Sequence, residues 1–209
     1  MVMLGGIALL CNPLLLPLVS VAAEPPTDLS LTPLESLEAA NRFFMFRGEP
    51  INPRAVGDLL PWLSDMKPGS IALDVEGSMA DTNRYWAEVE NTAIGTVRAT
   101  WEPWLGEEIS YTTGYRWLGQ LDNGLHILRV TQNTGGSGVF TSLLFVRFLM
   151  DTEYFYVDGP GPRPRLIMKR MGSYGLGNRD SRNLWLEGNV VVIEAGEHTE
   201  EIRIDLTGY

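Results

Sequence analysis

The amino-acid sequence predicts a mainly β protein in which an antiparallel meander of about 8–10 short strands forms a sandwich or a barrel. The first observation is strict alternation of β-branched or aromatic residues with polar or small ones, clearest from Ile109 to Trp117. The second is the regular recurrence of turn residues, such as Asn123-Gly124 and Gly188-Asn189, between the alternating runs. The third is that helical patterns come before the strands and do not alternate with them, which argues against a parallel sheet.

One or two short helices are expected ahead of the sheet. Thr32-Pro33-Leu34-Glu35 has the pattern of a capping box, with proline at the first helical position. We expect this helix to end at Gly48. A second helix is predicted to start at Asn52-Pro53 and to end near Pro61. The expected buried face of the first helix consists of Leu37, Ala40, Phe43 and Phe44.

Four regions of the chain are distinguished by composition. Residues 1–23 carry no charged side chain and end in small residues, which is typical of a secretory signal peptide. Residues 24–30 are predicted to be a flexible tether, 31–66 a helical segment packing on the sheet, and 67–209 the antiparallel β domain. An uncleaved membrane anchor formed by residues 1–23 is the alternative. A lipoprotein signal at Cys11 ranks third, because Leu10 stands where such signals carry a small residue.

Three segments of the β domain have distinctive patterns. The continuous apolar run Leu143–Val146 predicts a strand buried on both faces. The alternation from Ile71 to Glu76 predicts a half-buried strand. The glycine-rich stretch Gly172–Asn178 is interpreted as a flexible hairpin loop, with an anion held by its backbone N–H groups as the alternative.

Charge excludes one class of partner and points to one candidate site. The net charge of −10 argues against general nucleic-acid binding. Between Arg163 and Arg182, however, six basic residues stand against the single acid Asp180. We therefore name Arg170, Arg179 and Arg182 as candidate anion-binding residues. The favoured alternative is that these side chains pair with acids or face solvent.

Aromatic residues supply the second candidate site. They are concentrated between Tyr85 and Trp117. Sheets rich in aromatic residues are able to line an apolar pocket or to stack on sugar rings. We name Trp104, Tyr115 and Trp117 as candidate ligand-binding residues. Trp104 lies in a segment, Glu102–Glu107, that is expected to be a loop, where ligand contacts concentrate. The favoured alternative for aromatics on the inner face of a sheet is that they form core.

Catalytic and metal-binding signatures are weak in this sequence. It contains no Gly-x-Ser-x-Gly and no His-Glu-x-x-His motif, and the chain without its leader has no cysteine. We expect His126 to be a packed strand histidine, with a general base as the alternative. Carboxylates two residues apart, Asp74 with Glu76 and Glu88 with Glu90, would suit glycoside hydrolysis, although outward-facing strand positions produce the same spacing. No cofactor, metal or catalytic residue is predicted.

These observations favour an exported, non-catalytic β-domain that is a binding or structural module of the cell envelope or the extracellular space. One alternative is a lipocalin-like small-ligand carrier with an aromatic-lined cavity. The other is an enzyme acting on glycans or anionic substrates. The expected partner is a small molecule, a glycan or an envelope protein, with a membrane contacted only through an uncleaved N-terminal segment.

Overall fold

The predicted fold class is confirmed by the computed structural model of the protein. The structure describes residues 32–61, 69–79, 85, 87–92, 95–102, 110–153 and 163–209. Over these residues the protein is mainly β, with a seven-stranded antiparallel sheet curled into a half-barrel and short helices near the N-terminus. The predicted leader at 1–23, the predicted tether at 24–30 and Trp104 lie outside the described residues.

Three short helices and three sheets make up the described part of the chain. The helices are α1 (Pro33–Phe43), α2 (Pro53–Asp58) and α3 (Val75–Met79). A two-stranded ribbon pairs β1 (Met45–Phe46) with β2 (Glu49–Pro50). The strands of the seven-stranded sheet, here the large sheet, are β3 (Ala72–Asp74), β4 (Glu88–Thr92), β5 (Thr96–Trp101), β6 (Tyr111–Gln120), β7 (His126–Thr134), β8 (Phe140–Glu153) and β9 (Arg163–Asn178). The three-stranded sheet, here the small sheet, contains β10 (Leu184–Glu187), β11 (Val190–Ile193) and β12 (Ile202–Asp205).

The large sheet is a meander from β4 to β9. A strand from earlier in the chain, β3, is added at its β9 edge. Its order is β3-β9-β8-β7-β6-β5-β4, and every neighbouring pair is antiparallel. The turn between β6 and β7 forms at the predicted place, with Gly124 at a φ of 86°. The Asn123 side chain in that turn donates to the Leu206 carbonyl over 2.7 Å, which ties the hairpin to the C-terminal end of the small sheet.

Helix α1 begins as predicted but ends earlier. Thr32 and Glu35 form the complete capping box. The predicted end at Gly48 is wrong, because Phe44 adopts the left-handed conformation directly after the helix and its N–H donates to the Ala40 carbonyl. Gly48 instead lies in the turn between β1 and β2, at a φ of 80°.

Two other boundaries differ from the sequence patterns. The strand predicted from Ile71 to Glu76 is interrupted, because the Asp74 carboxylate accepts from the Gly77 N–H over 3.1 Å and α3 starts at Val75. The predicted loop Gly172–Asn178 is the second half of β9, paired with β8 from Phe140 to Phe145. The pairing contains two register shifts, and the hydrogen-bonded ladder continues past both of them through the glycine-rich half of β9.

The large sheet carries a hydrophobic core on each side. On the side here called helix-facing, α1, α2 and α3 pack over residues such as Leu128, Leu144 and Val146. On the opposite side, the small sheet packs over Ile127, Leu143 and other residues. Strand β8 therefore alternates between two cores, and the prediction that Leu143–Val146 is buried on both faces is confirmed.

Candidate functional site

Five rings from four parts of the chain meet on the helix-facing side of the large sheet. Strand alternation and register place Tyr115 and Trp117 of β6 on this side, next to His126 of β7 and Phe148 of β8. Phe44, at the C-terminal end of α1, inserts its ring among them. We call these five residues the aromatic cluster.

Phe44 is the centre of the aromatic cluster. Its ring centroid lies 5.4 Å from those of Tyr115 and Phe148, 5.6 Å from that of His126 and 6.4 Å from that of Trp117. The edge-to-face arrangement of Phe44 and Tyr115, at 73°, is one of the favoured aromatic geometries. A helix end thus supplies the ring around which the strand residues are arranged.

His126 is fully buried, and two amides lie beside one of its ring nitrogens. Its Nε2 lies 3.2 Å from Asn41 Oδ1 of α1 and 3.2 Å from Gln120 Nε2 at the end of β6. A neutral ring donates to Asn41 in one tautomer and accepts from Gln120 in the other, and does not do both at one nitrogen. Burial lowers the pKa of His126 to about 4, so the ring is neutral at pH 7.

Three polar atoms of the aromatic cluster are buried without a hydrogen-bond partner in the described part of the chain. They are Trp117 Nε1, His126 Nδ1 and the Tyr115 hydroxyl. The hydroxyl lies beside the Ile51 backbone but outside hydrogen-bond geometry, and burial raises the pKa of Tyr115 far above its ordinary range. Native interiors leave few such atoms unpaired, and each costs about 1–3 kcal/mol. Their convergence within one cluster marks this place as a candidate site.

The segment that covers the cluster is held by modest contacts and strained backbone. The residues that α1 buries are small, namely Ser36, Ala39 and Ala40. Leu37 of this helix is only partly buried against the core, so most of the apolar area lost on lifting the helix belongs to the Phe44 ring that follows it. Phe44 has a φ of 53° and Arg47 a φ of 52°, a conformation that is unfavourable for residues other than glycine.

The three arginines predicted as an anion site lie at separate places. Arg170 donates to the Leu59 carbonyl over 2.8 Å on the helix-facing side. Arg179 donates to the Ser137 carbonyl over 2.6 Å at one end of the sheet. Arg182 pairs with Asp180, in contact with Arg129 of β7. The structure therefore does not bring these three guanidinium groups together, whereas it does bring together Tyr115 and Trp117.

The carboxylates considered for glycoside hydrolysis take part in local contacts. Asp74 caps α3, Glu76 pairs with Arg47 over 3.0 Å, and Glu90 pairs with Arg98 over 3.4 Å across the β4–β5 edge. Glu88 is exposed on the edge strand β4. Among the described residues, no group of three or more His, Cys, Asp and Glu side chains is placed to hold a metal ion.

Sequence reasoning missed the residues that complete the aromatic cluster. Phe44 was assigned to the buried face of the first helix, and Phe148, Asn41 and Gln120 were not singled out. Only one feature of the sequence could have indicated Asn41 and Gln120: each is a polar residue next to an apolar residue that is buried. His126 was considered as a buried strand residue, and its burial confirms that interpretation.

Within the residues that the structure describes, no helix has the length and apolar character needed to cross a bilayer. Comparison of the chain with protein-family models, with curated protein sequences and with solved structures found no match.

Proposed function

We propose that the protein is an exported, non-catalytic binding module that holds a small, flat, largely apolar ligand at the aromatic cluster. The observation that carries the proposal is that the rings of one cluster carry three buried polar atoms without partners among the described residues, namely Trp117 Nε1, His126 Nδ1 and the Tyr115 hydroxyl. A ligand with one or two hydrogen-bonding groups would satisfy these atoms while its apolar body contacts the surrounding rings.

The chemistry of the cluster favours an uncharged ligand with a hydrogen-bond acceptor. Trp117 Nε1 is a donor only, so its partner must be an acceptor such as a carbonyl oxygen. His126 is neutral at pH 7, and the amides of Asn41 and Gln120 beside it carry no charge. A site without formal charge that is lined by aromatic rings suits a neutral aromatic or polyene carbonyl compound better than an ion.

Entry to the cluster requires movement at α1, since Phe44 occupies its centre. Rotation of the Phe44 side chain, or a shift of α1, would open the space between Trp117, His126 and Phe148. The strain at Phe44 and the small size of the fully buried residues of α1 lower the cost of such a shift. Bound ligand would then replace Phe44 as the partner of the other four rings.

The test uses the full-length chain and the fluorescent probe 6-propionyl-2-dimethylaminonaphthalene, a flat neutral aromatic ketone. We expect saturable binding, which Trp117→Phe weakens roughly five- to tenfold through loss of the indole N–H. The matched control is Trp185→Phe, since Trp185 is exposed on the small sheet and should leave affinity unchanged. Absence of saturable binding, or equal weakening by both substitutions, would contradict the proposal.

Export is supported by the uncharged residues 1–23 and is tested separately. The released protein should begin at Glu24 when its N-terminus is sequenced. A cell-associated protein that retains Met1 would contradict cleavage of the leader.

A further inference from the structure

On the side of the large sheet opposite the helices, two arginines contact the Asp180 carboxylate and a third arginine lies directly across from one of them. Arg116 of β6 and Arg129 of β7 are direct cross-strand partners, and their side chains face away from the aromatic cluster. Arg182, from the segment between β9 and β10, lies beside Arg129, which donates to its carbonyl over 2.8 Å. We call these three residues together with Asp180 the arginine cluster.

The arginine cluster carries more positive charge than its one acid can balance. Arg182 Nε donates to Asp180 Oδ2 over 2.7 Å, and the Arg129 guanidinium contacts Asp180 Oδ1 over 3.4 Å. Both carboxylate oxygens are therefore engaged by these two residues. Arg116 has no ion-pair or hydrogen-bond partner among the described residues, which leaves the cluster with a net charge of +2 in a chain of net charge −10.

The part of the arginine cluster around Asp180 is partly desolvated, whereas Arg116 is exposed. The side chains of Arg129, Arg182 and Asp180 retain only 19%, 17% and 9% of their exposure. Like charges directly opposite each other on neighbouring strands destabilise a sheet, and burial strengthens their repulsion. Burial lowers the pKa of Arg129, and although Asp180 opposes this shift, Arg116 and Arg182 add to it.

We infer that the arginine cluster is an oxyanion-binding site that takes a phosphate or carboxylate group between Arg116 and Arg182. Arg129 is the positioning residue: its hydrogen bonds to the carbonyls of Asp180 and Arg182 fix the segment that carries Arg182 against β7. The terminal nitrogens of Arg182 have no partner among the described residues, and all five Arg116 donors are likewise available. Guanidinium groups arranged in this way match the planar or tetrahedral oxygens of such anions.

The experiment titrates the full-length chain with inorganic phosphate by calorimetry at pH 7, with sodium chloride holding the ionic strength constant. We expect saturable binding that Arg116→Gln weakens roughly tenfold through loss of charge-assisted hydrogen bonds. Stability in chloride should be unchanged or higher in this variant, since the cross-strand repulsion is removed. Absence of saturable binding of both phosphate and acetate to the unsubstituted chain would overturn the inference.

The control variant is Arg98→Gln. Arg98 lies on β5, carries the same charge on the same side of the sheet, and pairs with Glu90 outside the cluster. Equal weakening by Arg98→Gln and Arg116→Gln would show general attraction by a basic surface and would overturn the site. Unchanged phosphate affinity in Arg98→Gln, with Arg116→Gln weakened, supports it.

Two further measurements identify the anion and its position. Acetate is titrated in parallel, and tighter binding of phosphate assigns the site to phosphoryl groups whereas tighter binding of acetate assigns it to carboxylates. Guanidinium Nε–Hε signals are followed by nuclear magnetic resonance during the titration. Shifts confined to the arginine cluster support the inference, and shifts at Arg98 as large as those at Arg116 would overturn it.

Discussion

The Tyr115 hydroxyl offers the most direct test of whether a polar atom of the aromatic cluster lacks a hydrogen-bond partner in the free protein. It is buried beside the Ile51 backbone without forming a hydrogen bond in the described part of the chain. Removing an unpaired buried hydroxyl costs nothing, whereas removing a bonded one costs about 1 kcal/mol. We therefore expect Tyr115→Phe to leave the free energy of unfolding unchanged or to raise it by up to about 1 kcal/mol. Urea denaturation measures this, and a loss of about 1 kcal/mol would show a hydrogen bond to Ile51.

His126 makes stability depend on pH in a window set by its burial. Its pKa falls from an ordinary 6.5 to about 4 in the folded protein. Between these values the unfolded chain binds the proton that the folded protein does not, so the free energy of unfolding decreases as the pH falls from 6.5 towards 4. Above pH 6.5 this contribution is fully present. The shift predicts a total loss of about 3 kcal/mol from this one residue.

Carboxylates also titrate near the lower end of this window, so the measurement is a comparison of variants. We expect His126→Gln to abolish most of the difference in stability between pH 7 and pH 4.5, as determined by urea denaturation at each pH. His198→Gln is the control, because His198 is exposed. If the stability of both variants changed with pH as that of the unsubstituted protein does, the pKa of His126 would not be lowered by burial.

Among the elements, α2 depends on a glycine to approach the sheet. A Cβ atom on Gly57 would lie 2.9 Å from Thr113 Cγ2 and 3.0 Å from Gln132 Nε2. The Gly57 carbonyl also accepts from the Gln132 side chain over 3.3 Å. We expect Gly57→Ala to lower the free energy of unfolding by about 1–3 kcal/mol, because α2 must move away from β6.

Thermal unfolding compares this substitution with Gly136→Ala. Gly136 is exposed between β7 and β8, has nothing within 4 Å of a Cβ position, and does not have a positive φ. Alanine there should leave stability unchanged or raise it slightly by restricting the unfolded chain. Equal effects of the two substitutions would mean that α2 does not need its close approach.

For the helices and strands, the sequence predicted those features that depend on residues close together in the chain. The start of α1 follows from Thr32 and Glu35, and the β6–β7 turn follows from Asn123-Gly124. The end of α1 at Phe44 did not follow, because the left-handed conformation there depends on aromatic partners from distant strands. The second half of β9 was missed for a similar reason: glycine-rich sequence is typical of loops, and its pairing with β8 is a long-range property.

For the molecule as a whole, the candidate sites depend on register and docking that no local pattern specifies. Aromatic concentration indicated Tyr115 and Trp117, but Phe44 reaches them only because α1 lies against the sheet. Likewise, the basic segment indicated Arg182, while its partners Arg116 and Arg129 lie on strands that the charge pattern did not include. Both sites combine residues far apart in sequence.

The two cores of the large sheet share strand β8, and this predicts how the molecule unfolds. Leu143 faces the small sheet and Leu144 faces the helices, and both are fully buried. Replacing either with alanine should lower the free energy of unfolding by about 2–5 kcal/mol. Because one strand supplies both cores, loss of either weakens a single cooperative unit, and each variant should unfold in one transition.

The measurement follows urea unfolding by far-ultraviolet circular dichroism and by tryptophan fluorescence on the same samples. Coincident curves are expected for Leu143→Ala and for Leu144→Ala, since neither the small sheet nor the helical layer has a core of its own apart from the large sheet. The chain has six tryptophans, so the signal of Trp185 on the small sheet is obtained by repeating each fluorescence curve with Trp185→Phe added, and that of Trp117 on the helix-facing side with Trp117→Phe added. A fluorescence transition that precedes the circular dichroism transition only in Leu143→Ala would show that the small sheet separates first, and that the sheet's two sides are independent.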